Sequence, residues 1–106
     1  MPLIKALARR KFLENGPAPQ VLNMGTNLAS MLLCLKHGQT LEAPASDASE
    51  TLFCVLAGSG FVREGSEEHA VETGDVVHVS AGDTKALIAG EGELSVLGVR
   101  YLKGRS

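Results

Sequence analysis

From residue 20 to the end of the chain, short apolar runs alternate with separators built from Gly, Asn, Asp and Ser. The separators read NMGTN, AGSG, EGSE, TGD, SAGD and GEGE. Residues of these types supply the positive-φ conformations that tight turns require. The runs between them have strand texture and fall at 20–23, 28–36, 50–56, 60–63, 68–72, 76–80, 85–89 and 94–101. Eight short strands at this spacing imply an all-β fold, either an antiparallel sandwich or a closed barrel.

The runs also say which strands are covered. Residues 28–36 are nearly all apolar, as expected of a strand packed on both faces. In 50–56, Thr51, Phe53 and Val55 share one face and Leu52, Cys54 and Leu56 the other, which fits a strand with one face towards a barrel interior. The first residues differ. Ile4, Leu7, Ala8 and Phe12 have helical spacing, and NGPAP then breaks the pattern. Residues 1–19 are therefore expected to form a short helix or a tail that packs on the barrel or on a partner, and residues 20–106 the barrel itself.

A chain of 106 residues is one domain with one core. An apolar fraction of 44% and a charged fraction of 21% place it among globular rather than disordered chains. A net charge of -2 gives no basic footprint for nucleic acid, and Arg9-Arg10-Lys11 is too short to supply one. No apolar run reaches the roughly 18–20 residues of a membrane helix. The N-terminus places its charges after its apolar residues, the wrong order for a secretory signal. Cys34 and Cys54 lie inside the apolar runs MLLCL and LFCVL, which favours buried free thiols and a cytoplasmic protein over a disulfide.

The stretch KHGQTLEAPASDASETLFCVLAGSGFV, followed by TGDVVHVSAGDTKALI, resembles the small single-domain cupins of the RmlC-like group. The resemblance covers roughly residues 20–100. It implies an antiparallel double-stranded β-helix, the cupin jelly-roll barrel. It also implies two motifs, G-x5-H-x-H followed after three or four residues by E-x6-G, and G-x5-P-x-G-x2-H-x3-N. In the metal-dependent members three histidines and the glutamate of these motifs hold one divalent cation. Counted from Gly38, the first two histidine positions fall at Ala45 and Asp47, or at Pro44 and Ser46. Counted back from Gly58, the glutamate position is Thr51, with Glu50 just before it. Counted from Gly74, Ser80 stands for proline and Lys85 for the last histidine. A slip of one residue would restore Glu50 or use Asp47, but one or two carboxylates do not make a usual N/O site. No metal and no other cofactor is expected.

The resemblance points Lys85 into the barrel mouth, where several readings stay open. Lys85 pairs with Asp47 or Glu50 across the old site and only fills it. Alternatively it is a fixed cation that attracts a carboxylate or another small anion. A catalytic lysine is the third reading. His37 and His69 read as surface residues. His78, mid-strand among valines, either bonds a neighbouring strand or subunit or turns into the pocket. The candidate ligand-binding residues are thus Lys85, Asp47, Glu50, Thr51 and His78. The expected function is a metal-free binding, accessory or regulatory module without turnover. The alternatives are an isomerase-, epimerase- or oxygenase-like enzyme using Lys85 or an unrecognised metal site, and a scaffold. A homodimer is expected, with LSVLGVRYL and the apolar N-terminal segment as interface material. No membrane and no nucleic acid is expected as a partner.

Overall fold

All eight expected strands form, with one more between the second and third of them. In chain order they are β1 (Ala18–Met24), β2 (Leu28–Leu35), β3 (Thr40–Ala43), β4 (Thr51–Ala57), β5 (Ser59–Glu64), β6 (Glu67–Glu72), β7 (Val76–Val79), β8 (Lys85–Ala89) and β9 (Leu94–Tyr101). The computed structural model describes residues 3–43, 50–80 and 85–101. The extra strand, β3, has almost no apolar pattern of its own. It is a strand because its backbone pairs with β8, placing Leu41 opposite Leu87.

Two antiparallel sheets result, one in the order β1-β2-β9-β4-β7 and the other in the order β3-β8-β5-β6. Their inner faces meet over Leu35, Val55, Val62, Val79, Leu87, Leu94 and Val96, all of them buried. Burying a side chain of this kind stabilises by roughly 1.5–3 kcal/mol relative to exposure. Alternation along β4 is as the sequence implies, with Thr51, Phe53 and Val55 inward. β2 is indeed covered twice. Met31, Leu33 and Leu35 face the core, while Leu32 and Cys34 join a second cluster on the outer face.

That outer cluster is what holds the N-terminal segment. Ala6–Arg9 make one turn of 3₁₀ helix, and Ala6 and Phe12 pack against Ala18, Leu32 and Cys34. Gln20 Nε2 donates to the Arg9 carbonyl at 2.9 Å, and Gln39 Nε2 to the Leu13 carbonyl at 2.8 Å. Lys36 pairs with the Glu14 carboxylate and holds it below its ordinary value of 4.5. This tie is therefore present above the ordinary carboxylate range and is lost as pH falls through the lowered value. The boundary at residue 19 shifts slightly: β1 starts at Ala18, and Pro19 is tolerated because β1 is a sheet edge. Both cysteines are free thiols. Among the described residues no helix is long and apolar enough to cross a membrane.

Glycines close the end of the barrel opposite the start of β4. Gly58 has φ +93°, and a Cβ there would meet the Glu93 carbonyl oxygen at 2.0 Å. At Gly60 a Cβ would lie 2.2 Å from the Ile88 carbonyl oxygen. The separators AGSG, EGSE, TGD and GEGE do supply positive-φ glycines, but Gly25 of NMGTN does not. Its turn is closed by the Gly25 amide donating to the Leu28 carbonyl at 2.8 Å. Gly60→Ala is expected to destabilise the fold by about 1–3 kcal/mol, because the clash is with backbone and cannot be relieved by a rotamer change. Gly16→Ala, which meets nothing within 4 Å, should stay within about 0.5 kcal/mol of the parent. Urea unfolding of the two variants checks the contrast.

Candidate functional site

At the other end of the barrel, the apolar packing stops short. Thr51 opens β4, Lys85 opens β8 and Arg100 lies next to the end of β9, so three polar side chains reach the same end from both sheets. A cavity of about 330 Å³ lies there. Its polar lining includes Thr51, Lys85 and Arg100, and its walls include Met31, Leu33, Phe53, Leu41 and Leu87. The volume is near the lower limit for small-molecule sites, roughly 300–1,000 Å³.

Register explains how the residues arrive together. Thr51 is the direct cross-strand partner of Arg100 on the β4–β9 ladder. Two residues further in, Phe53 stands opposite Gly98. On the facing sheet, Lys85 is in phase with Leu87 and Ala89, which alternation turns inward. Lys85 is 7% exposed and Thr51 5%, whereas Arg100 is half-buried. All three are held by interactions within the fold.

Among the described residues, two carboxylates stand near these cations. Glu64 is opposite Lys85 on the β5–β8 ladder, and its Oε2 accepts the Ser80 amide at 3.1 Å. Glu42 lines the cavity but sends its Oε2 to Arg63 Nη1, 3.6 Å away, across the outer side of Ala86.

The five expected ligand-binding residues separate in space. Lys85 and Thr51 line the cavity. Glu50 and His78 do not. They face outward and join each other, His78 Nε2 to Glu50 Oε2 at 2.5 Å, each about half exposed. The reason is strand phase: Val77 and Val79 take the core side of β7, which sends His78 to the surface beside Leu52. Glu50 precedes Thr51 and so turns to the opposite side. A Lys85–Glu50 pair across the mouth therefore gives way to this surface contact. Asp47 lies outside the described residues. Of the other histidines, His37 Nδ1 is 2.6 Å from the Gly90 carbonyl and His69 lies 3.9 Å from Glu67 on an exposed hairpin.

Arg100 is the residue that sequence reasoning missed. Its signal was present, since it stands in phase with the buried Val96 and with Gly98 in a largely apolar strand.

Solved structures with this architecture include the following three. A protein from Thermus thermophilus superposes with a TM-score of 0.88 at 18% identity, over 95% of this chain and 97% of its own. An RmlC-like cupin from Desulfovibrio desulfuricans gives 0.85 at 18%, over 95% and 96%. A cupin superfamily protein from Desulfitobacterium hafniense gives 0.78 at 20%, over 97% and 92%. No protein-family model matches the sequence, and no curated protein does. The fold is the cupin double-stranded β-helix.

Cupin barrels are associated with a divalent metal in the mouth, and the residues described here do not fit one. The two positions that the motifs assign to a glutamate and a histidine carry Thr51 and Lys85, and Arg100 joins them. An ammonium and a guanidinium offer no lone pair and repel a cation. Among the described residues no three His, Cys, Asp or Glu side chains form a metal-binding group. Untagged protein purified without chelators is expected to carry well below one equivalent of transition metal per chain by elemental analysis. A full equivalent would mean that donors other than these build a site.

Proposed function

We propose that the barrel mouth binds a small organic anion, and that the chain serves as a binding, accessory or regulatory module without turnover. The observation that carries this reading is the pair of cationic side chains, one from each sheet, on the lining of a single, largely apolar cavity. Ammonium and guanidinium groups are donors of the kind that recognise a carboxylate through charge-assisted hydrogen bonds, and the Thr51 hydroxyl lies on the same lining. Because the neighbouring walls exclude water, these charge-assisted bonds are stronger than their surface counterparts. The cations are held in place before the ligand arrives, which reduces the ordering cost of binding.

The enzyme alternative needs a proton-transfer pair at the same place. The imidazole and carboxylate that could form one, His78 and Glu50, are engaged with each other on the outer face. Tyr101 follows Arg100 on the opposite phase of β9 and is exposed. These placements favour binding over turnover.

A homodimer remains part of the proposal. β1 is an unpaired sheet edge, and Met24, Leu28 and Tyr101 expose apolar surface near its end. Sedimentation equilibrium should return about twice the chain mass of 11.1 kDa. A monomer at all accessible concentrations would remove the dimer from the reading.

The site itself is tested by Lys85→Met and Arg100→Met, which keep much of the side-chain volume and delete the charge. Each should weaken benzoate binding about 10–100-fold in titration calorimetry, the loss expected for one hydrogen bond to a charged group. Circular dichroism should show the same fold for both. Unchanged affinity in either variant removes that residue from the site.

A further inference from the structure

The N-terminal segment belongs to neither sheet. Between residues 3 and 16 its regular structure is one 3₁₀ turn and a single bridge, Leu13 to Gly16, within the segment itself. Side chains attach it to the barrel. Ala6 and Phe12 are half-buried against the outer cluster of Ala18, Leu32 and Cys34, while Leu3, Leu7 and Leu13 are exposed. Gln20 on β1 holds the Arg9 carbonyl. The turn between β2 and β3 grips the end nearer the barrel. There the Lys36 amide donates to Gln39 Oε1 at 2.8 Å, which aims Nε2 at the Leu13 carbonyl, and the Lys36 ammonium pairs with Glu14. The bonds to the segment are exposed, so water can take their place when they break. The barrel does not need the segment in return. The cluster between the two sheets contains none of its residues.

We infer that residues 3–16 form a detachable strap, which lifts from the outer face of β2 while the barrel stays folded. Gln39 and Gln20 are its clasps. Local opening is favoured by few buried apolar contacts and by exposed hydrogen bonds, and the segment has both. Gly16 supplies the hinge. It lies between the last clasped residue, Glu14, and the start of β1, with nothing within 4 Å of where a Cβ would stand. Glycine at that place leaves the backbone its widest range of conformations. What the strap covers is a thiol. Cys34 is 0% exposed, and it belongs to the outer cluster on which Ala6 and Phe12 pack. Lifting the strap bares that thiol together with the apolar surface of Leu32, so the segment decides when this face of the sheet can be reached. Cys34 thus reports on the strap without any change to the chain. The strap is independent of what the barrel mouth binds.

The experiment is labelling of the full native chain with iodoacetamide at fixed pH, with peptide mass spectrometry to read Cys34 apart from the second free thiol, Cys54. Cys34 should react without denaturant, and its rate should change little with urea below the unfolding transition. A rate set by global unfolding would instead climb with the full urea dependence of that transition. Gln39→Ala and Gln20→Ala each remove one clasp. Each should speed Cys34 labelling about 3–10-fold, the shift in opening expected for one lost hydrogen bond. Both variants should keep the shallow urea dependence, which separates a looser strap from a weaker barrel. Labelling of Cys34 only along the global unfolding transition would overturn the inference. So would a shallow urea dependence with neither variant faster than the parent, because the thiol would then be reached by another route.

Discussion

The inner faces of the two sheets are packed by Leu35, Val55, Val62, Leu94 and Val96, and the site exists because that packing does not run the whole length of the barrel. Apolar contact drives the sheets together wherever complementary side chains meet. At the end marked by Gly58 and Gly60, the backbones approach so closely that no side chain fits. At the other end, the inward positions carry Thr51, Lys85, Arg100 and Gly98, which do not fill the space between the sheets. One end is therefore a closed core and the other a cavity with a charged rim.

Burial separates the charges into two groups. Lys36 with Glu14 and Arg63 with Glu42 are ion pairs, and His78 with Glu50 a close contact, on exposed surface, where water screens them and each contributes little. They shape the outside of the barrel, tying down the N-terminal segment or capping a sheet face. Lys85 belongs to the other group. A charge that is 7% exposed is held against a desolvation cost and is expected to have partners. With Arg100 from the facing sheet, it puts cationic groups on a cavity lining where a metal-binding barrel would carry donors.

Much of the architecture was legible from the turn pattern. All eight runs between the separators are strands, and the two-sided burial of β2 followed from its nearly unbroken apolar composition. β3 was not legible, because Thr40–Ala43 owes its form to pairing with β8 rather than to a pattern of its own. For the site, the motif spacing located Thr51 and Lys85. It did not locate Arg100, which lies outside both motifs and reaches the cavity through its ladder pairing with Thr51. His78 and Glu50 were named because of their residue types, and strand phase decided against the cavity for both.

What the sequence determined by itself is the alphabet of the fold: where the chain turns, which runs extend, and that lysine and threonine occupy positions where a metal-binding barrel would carry donors. These are local properties, set by glycine's conformational range, by side-chain alternation and by the chemistry of single residues. Only the tertiary structure decided which of them share a space. Strand register and the facing of two sheets put Arg100 and Lys85 on one cavity lining, turned His78 to Glu50 on the surface, and set Gly98 between Met31 and Phe53. Those relations join residues far apart in the chain, so no window of sequence contains them.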